Sequence, residues 1–171
     1  MLNAAIRPKG ARIMLLLLSH WLGRTHLGVY IRDSSYAFPA IEIVHLLFLA
    51  VFGGAILLVD LRFLNLGFKT QSVSAVAREL LPVTVGGVIG MFLSGLLMYA
   101  GGTMRYYHNP AFQAKMAFFV IALIVHFALQ VGVARGLPER EGTGRLLKAG
   151  AVASLLLWFS VGFAGRVIGY V

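Results

Sequence analysis

The sequence predicts an all-α integral membrane protein: a four-helix bundle preceded by an N-terminal amphipathic helix that lies in the membrane interface. Three observations carry that prediction. Hydrophobic residues make up 59% of the 171 positions and charged residues only 12%, too few to clothe a water-facing surface. Four stretches, about 39–63, 80–102, 112–134 and 149–171, approach or exceed the ~20 residues needed to cross ~30 Å of hydrocarbon. The links between them are short and polar. Residues 1–37 therefore form a tail and interfacial helix, and 38–171 the bundle. Any chemistry must sit between the helices or at their mouths.

Composition also narrows the function. Cysteine is absent, which removes disulfides, thiolate metal sites and haem attached through a C-x-x-C-H signature. The net charge of +9 is spread over tail, loops and helix ends with no basic stripe, so it points to anionic lipid headgroups and not to nucleic acid. Near the spans, Arg62, Lys69, Arg78, Arg135, Arg140, Arg145 and Lys148 fall on one side, against Arg24, Arg32 and Arg105 on the other. The positive-inside rule puts the first group in the cytoplasm and both termini in the periplasm of a bacterial inner membrane.

Residues 1–12 followed by IMLLLLSHWLG resemble the charged and apolar regions of a signal peptide, but no small-x-small cleavage site follows, so the segment reads as uncleaved. From Ala11 to Ile31, leucines, Ile13 and Trp21 mix with His20, Arg24 and His26, the pattern of one interfacial helix with solvated histidines. Asp33-Ser34-Ser35 and Pro39 then supply a helix start.

The first span carries Glu42, His45 and Asp60. An ionisable group in hydrocarbon costs roughly 2.5–3.5 kcal/mol on insertion scales, so such residues usually face the bundle interior and serve a ligand, an ion or a partner. On a helical wheel Glu42, His45, Leu49, Phe52, Ile56 and Asp60 fall on one broad face. Asp60 and Arg62 read as a charge pair at the far interface. In the second span Gly86, Gly90 and Ser94 recur at small-xxx-small spacing, marking a packing face, with Met91 and Met98 as filler. MRYYHNP leaves His108 at the mouth, and Asn109-Pro110 starts the third span. That span carries Lys115 and His126 eleven residues apart on one face. Pro138 to Gly144 reads as a polar loop. The fourth span closes with Trp158, the Gly165 and Gly169 pair, and Arg166.

Depth sorts these residues. In an up-down-up-down bundle at ~1.5 Å per residue, His45, Lys115 and Arg166 lie ~9, ~5–6 and ~7 Å below the N-terminal mouth, with Glu42, Tyr99, His108 and Tyr170 nearby. His126 lies ~20 Å down, close to Asp60. One haem clamped between His45 and His126 would join unequal depths. The expectation is haem b, one or two, with His45 as iron ligand and Lys115 and Arg166 neutralising propionates. The second axial position is open or filled by His108 or Met98, and His126 is either ligand to a second haem or a hydrogen-bonded core residue.

The segments SSYAFPAIEIVH, GAILLVDLRFLNLG, LPVTVGG…SGLLMYAGG, NPAFQAK and LWFSVGFAGRVIGY resemble an uncharacterised family of four-helix bacterial membrane proteins. A more distant similarity is to HemJ-type protoporphyrinogen oxidases and copper-resistance D membrane proteins. The HemJ-type pattern of a His in the first helix, and a Lys followed eleven residues later by a His in the third, corresponds to His45, Lys115 and His126. That resemblance implies a haem b site. The tryptophan and Leu-Pro-Arg context expected after the first His is replaced here by GGAILLVDLR.

The leading expectation is a small b-type cytochrome passing electrons between quinone and a partner redox protein, an electron-transfer subunit more than a stand-alone enzyme, working with a partner subunit or as a homo-oligomer. A HemJ-like porphyrin-oxidising enzyme is the second reading. A metal-ion permeation protein using Glu42, His45 and Asp60, or a structural subunit, completes the set.

Overall fold

The side chains of Thr25, Ser34, Ser72 and Asn109 each accept a backbone N–H at the start of a helix. The computed structural model describes residues 9–67, 69–136 and 143–170. Among these there are seven helices: α1 (Lys9–Gly23), α2 (His26–Asp33), α3 (Ala37–Phe63), α4 (Val73–Gly101), α5 (Thr103–His108), α6 (Pro110–Ala134) and α7 (Thr143–Val167). The signal-peptide-like reading of the first residues, and most of the Pro138–Gly144 loop, lie outside the described residues.

The single interfacial helix expected over 11–31 is two helices. Thr25 Oγ1 donates to the Leu22 carbonyl at 2.7 Å and accepts from Gly28 N–H at 3.1 Å, so it closes α1 and caps α2 in one residue. α2 then packs on the end of α4: a Cβ on Gly28 would stand 3.0 Å from the Ala100 carbonyl, and Ile31 is buried beside Gly101. Ser19 on α1 is hydrogen-bonded to Tyr99 on α4 at 2.7 Å. With α5, these helices cap the N-terminal mouth of the bundle.

α3 starts where Ser34 Oγ accepts from Ala37 N–H, with Pro39 in the first turn. It ends in a Schellman motif: Leu66 N–H bonds to Leu61 C=O, Asn65 N–H to Arg62 C=O, and Asn65 takes the left-handed conformation at φ 62°. Ser72 caps α4 and Asn109 caps α6. α4 and α7 begin several residues before the apolar stretches do, because Arg78, Glu79, Arg145 and Lys148 continue the helices beyond the hydrophobic segments. Pro82 sits inside α4 without ending it.

Four helices, α3, α4, α6 and α7, are long and apolar enough to cross a membrane. The protein is a membrane protein. Each long helix packs on two neighbours in the cycle α3, α4, α6, α7, so α3 and α6 face each other across the bundle axis. The small-residue seam of α4 is Gly87, Gly90 and Ser94, not Gly86, Gly90 and Ser94: Gly86 meets nothing, whereas a Cβ on Gly87 would stand 2.9 Å from Phe52 Cβ and 3.0 Å from its Cα. The 3-then-4 spacing keeps the seam on the face turned to α3, where strict fours drift off it. Gly87→Ala should therefore cost about 1–3 kcal/mol by forcing α3 and α4 apart. Gly86→Ala should stay within about 0.5 kcal/mol, and thermal unfolding in detergent separates the two.

Candidate functional site

The interior is layered. Below the cap, Tyr99, Tyr106 and Phe112 stack with centroids 5.4–6.1 Å apart. Next come His45, Ser94 and Lys115. An apolar layer follows, with Phe52, Ile56 and Met91 buried against Trp158 and Leu123. A fully buried polar layer lies beneath it, comprising Asp60, Thr84, His126, Gln130 and Ser154. Val59, Phe63, Ala77 and Ala151 close the far end.

In the mouth layer the hydrogen bonds assign the His45 tautomer. Ser94 Oγ donates to the Gly90 carbonyl at 2.6 Å, so it accepts from His45 Nδ1–H at 2.9 Å. The Met91 carbonyl, 3.3 Å from Ser94 Oγ, lies on the same flank. Nε2 is then the bare nitrogen. Gly95 lies against the ring, where a Cβ would be 3.3 Å from Cε1. Lys115, half-buried, runs along Gly165 of α7, with a Cβ there 3.6 Å from Nζ, and its charge reaches His45. Burial pushes the Tyr106 phenol up from its ordinary value, opposed by Arg105 and reinforced by Glu42.

The remaining mouth residues lie further out. Glu42 and Leu49 are exposed, so the wheel's broad face turns inward only from His45 through Phe52, Ile56 and Asp60. Arg166 is exposed with its guanidinium 5.2 Å from the Tyr170 ring, and His108 is exposed with Nδ1 3.0 Å from the Met104 carbonyl. The structure thus places His45 and Lys115, both half-buried, in the mouth layer and leaves Glu42, His108 and Arg166 exposed at the rim.

The polar layer crosses the axis. His126 Nδ1 is 3.2 Å from Ser154 Oγ and 3.4 Å from Asp60 Oδ1, and Nε2 is 3.2 Å from Gln130 Oε1. Gln130 Nε2 donates to the Ala77 carbonyl and to Thr84 Oγ1, and Thr84 donates to the Leu80 carbonyl. A carbonyl only accepts, which fixes the Gln130 amide and hence a proton on His126 Nε2. Asp60 is not paired with Arg62. The Arg62 guanidinium binds the Gln71 carbonyl at 2.7 and 3.1 Å and Asn65 Oδ1 at 3.0 Å, stapling the α3–α4 loop. Since successive positions point some 100° apart on a helix, Asp60 and Arg62 take different faces.

Thr84, Gln130 and Ser154 are the layer's unpredicted members. Each is a polar residue within an apolar span, and the available signal is that Gln130 lies one turn after His126. Among the described residues no group of three or more His, Cys, Asp or Glu side chains converges on a metal-ion position.

Four membrane-length helices, with a tethered histidine at one mouth and a sealed acid–histidine layer in the opposite half, define a small multi-pass membrane protein. The chain belongs to DUF6644, a family of unknown function, which matches residues 17–171. No curated protein and no solved structure matches it.

Proposed function

We propose that the protein binds one haem b through His45 and acts as a small membrane cytochrome. The observation that carries this reading is the His45 tautomer: Nδ1–H is tied to Ser94 while Nε2 is left bare, the state a histidine needs to ligate iron. His126 does not fit the same role, because both its ring nitrogens face partners inside a sealed layer. Lys115, half-buried in the same layer, supplies a positive charge for a propionate, and Arg166 and His108 stand at the rim.

Haem b, when bound, supplies one-electron redox chemistry that the side chains lack. The chain's own part is to ligate through His45, to hold that ring by Ser94, and to exclude water from below with Phe52, Met91 and Trp158. In the finer reading the protein sits in a bacterial inner membrane with its termini in the periplasm, and exchanges electrons between quinone and a partner redox protein. The Lys and Arg distribution around the spans supports that orientation.

Ser94→Ala tests the tether. Losing the partner of a ligating histidine typically weakens metal-site binding 10–100-fold, so haem affinity should fall by about that factor while thermal stability changes little. Unchanged affinity, measured by haem titration of the apoprotein, would argue against His45 ligation.

A further inference from the structure

We propose that the sealed polar layer is a proton-binding site, in which Asp60 and His126 hold one exchangeable proton between them. This does not depend on haem, and the site is separated from His45 by the Phe52–Met91–Trp158 layer.

Asp60 is wholly buried, and neither carboxylate oxygen has a hydrogen-bond partner among the described residues. A buried carboxylate without donors is among the costliest groups a bundle can hold, and a buried ion pair offsets its desolvation only when the remaining lone pairs are satisfied. At 3.4 Å from His126 Nδ1, with no other donor, the ionised pair lacks that support. The neutral pair does not need it. His126 already carries its proton on Nε2, toward Gln130, so Nδ1 is an acceptor facing both Ser154 Oγ and Asp60 Oδ1. A proton on Asp60 then has an acceptor in reach and leaves the layer uncharged.

The layer favours a proton over a metal cation. A sodium-sized ion needs several oxygen ligands, whereas the Thr84 hydroxyl is already committed to the Leu80 carbonyl and to Gln130. No other ionisable side chain among the described residues enters it. Arg62 on α3 is turned to the loop, Arg78 and Glu79 on α4 and Arg145 and Lys148 on α7 are exposed, and α6 contributes only His126. Apolar layers above and below seal the site, so exchange requires the helices to part on one side.

The test is the infrared spectrum of the full-length protein in lipid. Wild type should show a carboxylic-acid C=O stretch that shifts down in deuterium oxide and is lost in Asp60→Asn. The amide of that variant can still donate to His126 Nδ1, so it should fold. Should it not, Asp60→Glu, which keeps the acid, should retain the band at a shifted frequency. A wild-type spectrum without the band, a band surviving in Asp60→Asn, or loss of the band on adding sodium chloride at constant pH would each overturn the proposal.

Discussion

A His45→Ala variant is expected to lose its b-type visible spectrum completely while keeping its helix content, and an unfolding temperature near that of the wild-type apoprotein. The two halves of that expectation have separate grounds. His45 offers the bare Nε2 at the mouth, and its Nδ1–H rests on a hydroxyl that already donates to the Gly90 carbonyl. Removing the ring therefore orphans no buried donor: Ser94 keeps its helix bond. The site is half-buried, so the packing lost is modest, on the order of 1 kcal/mol. Absorption spectra and circular dichroism of one preparation check both halves. Full haem content in the variant would sink the ligand assignment.

His126→Ala is expected to do the reverse, retaining haem and losing stability. Truncation removes the centre of a network in which every neighbour is buried. It leaves Gln130 Oε1 and Ser154 Oγ without their partner, strands Asp60 beside a void, and opens a cavity between α3, α6 and α7. Leaving a buried polar group without its partner costs about 1–3 kcal/mol and the void left by the ring adds to it, well above the ~0.6 kcal/mol average of an ordinary interhelical hydrogen bond in membranes. Unfolding monitored by circular dichroism should show that loss. A penalty below about 1 kcal/mol would mean that water reaches the layer and replaces the ring.

The contrast between the two histidines shows what the sequence made legible. The four spans, their antiparallel order and the shared depth of His45 with Lys115 and of His126 with Asp60 follow from hydropathy and a rise per residue, both additive along a helix. Rotation about the helix axis is less legible. A 100° wheel drawn over 19 residues accumulates error, so it turns Glu42 inward where the structure exposes it, and small-residue spacing puts the α4 seam one residue off, at Gly86 in place of Gly87. Contacts across the axis were not legible at all. That Asp60 meets His126 and not Arg62 depends on which helices stand diagonally, and nothing in a single span encodes that. The break at Thr25 is hidden for a local reason: a capping threonine between Arg24 and His26 continues an amphipathic pattern without interrupting it.

The two ends of the bundle are built differently. The mouth holds an imidazole with an unprotonated Nε2, a backbone close to its ring, and a half-buried ammonium in the same layer. The opposite half holds a polar layer closed to solvent on both sides. Haem content bears most directly on the first. The full-length protein, purified in detergent from haem-replete cells, should show a dithionite-reducible b-type spectrum and one haem per chain by pyridine haemochrome. A colourless protein would contradict the cytochrome reading, and two haems per chain would contradict the structural role given to His126.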